Sequence, residues 1–75
     1  MNLAPRAMYR WLDPQGVVLA EVRQGVAVTP SGPRAAYYAV VPGQAPIAKE
    51  RFTCAKKVID QWVSMNRIRA TVVPA

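Results

Sequence analysis

The sequence predicts an α+β domain: a three-stranded antiparallel β-meander, with short extra strands, packed on one C-terminal α-helix. Three observations carry this prediction. Apolar residues alternate at period two along much of Met8 to Val41, turn clusters at 13–16 and 29–33 divide that stretch into three, and an apolar stripe of helical period runs from Ala55 to Val63.

Residues 1–7 carry Pro5 and no periodicity, so they read as a lead-in to a domain spanning 8–73. Met8 to Leu12 is rich in strand formers, with Tyr9 and Trp11 on one face. Asp13-Pro14-Gln15-Gly16 is a turn with a mechanism: Asp bonds forward to the backbone, Pro presets φ, and Gly accepts the exit geometry. With Pro14 and Gln15 as its central residues, Trp11 falls opposite Val18 and Tyr9 opposite Ala20. These four and Val22 make one apolar face. The other face carries Arg10, Leu12, Val17, Leu19, Glu21 and Arg23, as on a half-solvated antiparallel sheet.

Gly25 interrupts the pattern and predicts a β-bulge. After the turn at Thr29–Pro33, Arg34 to Val41 reads as a third strand. The bulge leaves open which of Tyr37 and Tyr38 faces the core. Pro42 to Pro46 breaks the chain and Ile47 to Phe52 is a short extended connector. Thr53 is the expected N-cap of a helix running to about Arg67. Ala55, Val58, Ile59, Trp62 and Val63 form its apolar stripe, with Trp62 central. Lys56, Lys57, Asp60, Ser64 and Arg67 lie opposite. Ile68 to Val73 has the β-branched character of a short final strand, ended by Pro74.

Seventy-five residues, 52% of them hydrophobic, suffice for one domain with a small core. Ten Lys and Arg against four Asp and Glu give +6, and seven of the ten are arginine, the residue suited to bidentate anion contacts. The excess admits two readings, a polyanion site or a solvated basic surface. Cys54, alone in the sequence, implies a reducing, cytoplasmic setting. No apolar run approaches a membrane span, and the N-terminus lacks the apolar core of a signal peptide, so no membrane partner is expected.

Absences narrow the chemistry. The chain has no histidine, one cysteine and no glycine-rich phosphate loop. Its acids Asp13, Glu21, Glu50 and Asp60 fall on different elements, and Asp60 pairs with Lys56 one turn away. Cys54 opens the helix near Lys57 but has no histidine base, so it reads as a packed or edge residue. A non-enzymatic protein without catalytic residues, metal or cofactor is therefore expected.

Two partner classes remain. For nucleic acid, the candidate contacts are Arg10 and Arg23 on the sheet face away from the core, Arg34 after the second turn, Lys49 and Arg51 on the connector, and Lys56 and Lys57 on the helix. The element order over about residues 8 to 67 resembles the three-strand-plus-helix domains by which phage-type integrases and AP2-like proteins read DNA. The resemblance includes the aromatic first strand (Tyr9, Trp11) and the helix opening Thr53-Cys54-Ala55-Lys56-Lys57 leading to Trp62. It implies DNA as a partner class and assigns no role to any single residue. For a protein partner, either a second copy or an acidic protein, Leu12, Val17, Leu19 and one tyrosine, nominated as Tyr37, would form an apolar centre rimmed by Arg10, Arg23 and Glu21.

Overall fold

A computed structural model describes residues 6–75 and places them in six elements: β1 (Arg6–Leu12), β2 (Val18–Thr29), β3 (Gly32–Val40), β4 (Ile47–Lys49), α1 (Phe52–Met65) and β5 (Thr71–Pro74). The strands form one antiparallel sheet in the order β4-β3-β2-β1-β5, with α1 packed on one face. The expected meander is thus the centre of a five-stranded sheet, and the two short extra strands are its edges. β1 takes in Arg6 and Ala7 from the expected lead-in; residues 1–5 lie outside the described residues.

The first hairpin corrects the expected register. Asp13 Oδ1 accepts the backbone N–H groups of Gln15 (2.8 Å) and Val17 (2.9 Å), and the Asp13 N–H donates to the Val17 carbonyl at 2.9 Å. Gly16, at φ +84°, supplies the left-handed step that lengthens the loop to Asp13–Val17. Trp11 therefore pairs with Ala20 and Tyr9 with Val22, two residues along from the expected partners. A shift of two at Tyr9 and Trp11 keeps these side chains on their face, so Trp11, Ala20 and Val22 are still buried together. Val18, expected with them, instead pairs with Leu12 across an irregularity and is 44% exposed.

The bulge expected at Gly25 is absent. The β2–β3 ladder is unbroken from Glu21↔Val40 to Thr29↔Gly32, with Gly25 opposite Ala36, and the irregularities lie in β1–β2, at Ala7/Tyr9 and Trp11/Leu12. Unbroken pairing settles the tyrosines. Tyr37 faces the helix, its ring 6.3 Å from Phe52 in an edge contact, and Tyr38 faces away. Tyr37 thus leaves the set proposed with Leu12, Val17 and Leu19, and Tyr38 takes its place.

The core gathers Trp11, Ala20, Val22, Ala39, Val41, Ala55 and Ile59. The helix backbone approaches β2, β3 and β4 but not β1, and the side chains of Trp11 and Tyr9 bridge that gap, Tyr9 with its ring 5.1 Å from Phe52. The Trp11 indole N–H donates to Asp60 Oδ1 at 3.1 Å, while Asp60 Oδ2 takes Lys56 Nζ at 2.6 Å. Trp62 is only half-buried, beside a shallow groove it shares with Val58 and Met65, so Ile59 rather than Trp62 is the helix's central core residue. Asp60→Ala should cost about 1–3 kcal/mol by leaving the buried indole N–H without an acceptor. Lys56→Ala, which removes a surface pair, should cost at most about 0.5 kcal/mol. Urea titration of both variants checks the difference, and equal costs would contradict it.

Both helix ends depart from expectation. Arg51 occupies the N-cap with extended backbone and no side-chain cap, while Thr53 is exposed within the first turn. At the other end, Ile68 N–H donates to Val63 O (3.0 Å) and Arg67 N–H to Ser64 O (3.1 Å), with Arg67 at φ +53°. That is a Schellman closure, and it stops the helix at Met65. No helix among the described residues is long and apolar enough to cross a membrane.

One half of the sheet outruns the helix. Val26 and Val28 continue the helix-side row of β2, yet Val28 is 88% exposed. Among the described residues, β1 pairs with β2 as far as Gln24, and β4 with β3 as far as Tyr37. The β2–β3 hairpin beyond those points is, among the described residues, a two-stranded arm, tipped by Pro30 and Ser31 and braced by a 2.7 Å hydrogen bond from Thr29 Oγ1 to the Gly32 carbonyl.

Candidate nucleic-acid interface

The pairing register lays out the sheet face that α1 leaves uncovered. Arg10, Glu21 and Val40 form one cross-strand row; Arg23, Tyr38 and Ala48 form the next. Gly25 and Ala36 follow, then Ala27 and Arg34 towards the arm's tip. The sequence-nominated arginines Arg10 and Arg23 do share this face. Both, however, flank Glu21: Arg23 at 2.6 Å, and Arg10 Nε at 3.8 Å without a hydrogen-bond partner. The centre of the face is thus a partly neutralised Arg–Glu–Arg cluster rather than open positive charge.

A different trio converges. Arg34, Lys49 and Arg51 line a groove of about 560 Å³ between the arm and the corner where β4 leads into α1. The arrangement follows from three local features. β4 is only three residues long, so the edge of β3 towards the tip has no neighbouring strand among the described residues. The turn at 50–51 carries the chain away and leaves Arg51 beside Lys49. Small side chains, Ala27, Ala36 and Ala48, keep the floor low, and Thr29 and Ser31 stand at the tip end. Glu50 is the single acid of the lining, against three cations. All three cations are exposed, and none forms an ion pair among the described residues.

Pro33 fits this edge. It sits in the unbroken β2–β3 ladder opposite Val28, so its missing N–H must face away from β2, which blunts the open edge against strand addition. The helix lysines are elsewhere. Lys56 is tied to Asp60, and Lys57 is exposed on the helix. They lie across the sheet from Arg10 and Arg23, so one flat ligand cannot touch both sets.

The apolar candidates divide as well. Leu12 and Leu19 are half-buried, and Leu19 lines a shallow hollow with Glu21, Arg23 and Val40 on the uncovered face. Val17, 56% exposed, belongs to the hairpin loop rather than to β2. Cys54 is exposed. The groove itself had a signal in the sequence: the alanines at 27, 35, 36 and 48 beside Arg34, Lys49 and Arg51. Recognising it required knowing how far β4 runs. Compared with known protein families, with curated proteins and with solved structures, the chain matches none.

Proposed function

We propose that this chain is a small, basic, non-enzymatic binding module that engages nucleic-acid phosphates at the groove between the arm and the β4–α1 corner. The observation that carries this reading is the convergence of Arg34, Lys49 and Arg51, exposed and free of ion pairs among the described residues, over a floor of alanines. Guanidinium and ammonium groups held apart from acids are available to displace counterions from phosphates, the main source of sequence-independent affinity. A low floor lets a sugar–phosphate chain approach without a steric barrier. Arg10 and Arg23 extend the positive field but are already partnered by Glu21.

A second reading has its own support. The face opposite α1 carries Leu12, Leu19, Val40 and Tyr38, all half-buried, with no other described element over them. An apolar centre with an arginine-bearing rim is ordinary protein-interface anatomy, and a second copy or an acidic protein suits it.

Fluorescence anisotropy with labelled mixed-sequence DNA at several salt concentrations tests the first reading. Affinity should fall linearly on a log–log salt plot. The triple substitution of Arg34, Lys49 and Arg51 by alanine should flatten the slope by about 0.9 for each duplex phosphate contact removed. Arg10→Ala with Arg23→Ala should change it less. Absence of binding at low salt would overturn the nucleic-acid reading and favour the protein interface.

A further inference from the structure

Phosphates carry the same charge in a duplex and in a single strand. What separates the two is whether base faces are free to stack on a protein ring. Among the described residues, the uncovered face holds a single aromatic. Tyr9, Tyr37 and Phe52 pack together on the helix side, Trp11 is buried and Trp62 belongs to the helix stripe. Tyr38 alone lies on the other face.

Its orientation is unusual for a strand residue. Tyr38 stands opposite Arg23, yet its hydroxyl donates to the Val26 carbonyl at 3.3 Å, three residues further towards the tip and on the neighbouring strand. The ring therefore lies along the sheet across Gly25, where the missing side chain leaves it room. Tyr38 is partly exposed on the face opposite α1, and no other described element lies over it. Ala48, paired with Tyr38, and Ala36, two residues along β3, both line the basic groove. The position of Tyr38 on β3 thus borders the groove lined by Arg34, Lys49 and Arg51, while its ring reaches over β2 towards Val26.

We propose that Tyr38 is a stacking platform for an unpaired base whose phosphates run along the groove, so that the module prefers single-stranded nucleic acid to duplex. The proposal rests on the groove as a phosphate site and adds the ligand's strandedness. A duplex keeps its base faces inside its own stack and offers this ring nothing. The competing role for Tyr38, covering Gly25, needs only an apolar side chain and no base.

The test compares a short single-stranded DNA, an RNA of the same sequence, the matching duplex, and an abasic single strand, all by anisotropy at one salt concentration. Wild-type protein should bind a single strand about tenfold more tightly than duplex, and the abasic strand about tenfold more weakly than the intact one. The RNA and DNA arms show which sugar is preferred. Tyr38→Leu, which still covers Gly25, should lose about the same factor for the single strand and leave duplex binding unchanged, whereas Tyr38→Phe should retain affinity. The abasic comparison uses unaltered protein, so a folding defect in a variant does not blur it. Equal binding of intact and abasic strands, with the groove substitutions still abolishing both, would overturn the stacking role and spare the phosphate site. Failure of every oligonucleotide to bind would overturn both.

Discussion

Trp11→Ala should destabilise the domain by about 3–5 kcal/mol, a large fraction of the total stability of a chain this size. The expectation rests on more than its 1% exposure. The helix backbone does not approach β1, so that strand meets the helix through side chains: the indole, by packing and by its N–H bond to Asp60, and Tyr9, whose ring lies 5.1 Å from Phe52. Truncation opens a cavity at the junction and leaves Asp60 without its inner partner. Thermal and urea unfolding followed by circular dichroism would measure the loss. A cost below about 1 kcal/mol would mean that the helix collapses onto β1, contrary to the packing described.

Ile59→Ala should cost about 2–5 kcal/mol. Ile59 is fully buried on the helix stripe, in one cluster with Trp11, Val22 and Ala55. Trp62→Ala should cost less despite removing a larger side chain, because Trp62 already borders solvent. The same unfolding experiment ranks the two, and a larger loss for Trp62 would place the centre of the helix–sheet contact one turn further along. Trp11 and Ile59 share a cluster, so their double variant should not show the sum of the single effects.

The fold was legible in the sequence wherever a local rule governed it. Period-two alternation put Trp11, Ala20 and Val22 on one face, and it survived a register error because that error was an even number of residues. Turn chemistry located both hairpins, but whether the first loop closes at Gly16 or Val17 depends on the left-handed glycine and the two N–H groups drawn to Asp13. Helical period found the stripe. Its exact centre depended on how far the helix sits from β1, a distance no local pattern encodes.

Gly25 shows where such rules stop. A glycine within a strand signals either a bulge or a close approach by something else; here the ladder runs unbroken through Gly25, and Tyr38 on the same face reaches past it to the Val26 carbonyl. That reversal fixed the tyrosines. The candidate site divided in the same way. Charge and arginine bias nominated seven residues, but Glu21 stands between Arg10 and Arg23 only once β1 and β2 are paired. Arg34 meets Lys49 and Arg51 only because β4 stops after three residues. Spacing along the chain carries neither fact.

The two-stranded arm also divides the molecule energetically. Backbone amides in the half of the sheet beneath α1 are released only when the core itself comes apart. Among the described residues, those of the arm are held by one partner strand and little buried apolar surface, so they should open in a smaller, sub-global event of lower free energy. One wall of the groove lies on this less stable half. A ligand seated there would add its binding free energy to arm opening, and its presence would register as slowed hydrogen exchange in the arm. Recognition at the groove can therefore vary in rigidity, and in sequence, without drawing on the stability that Trp11 and Ile59 provide.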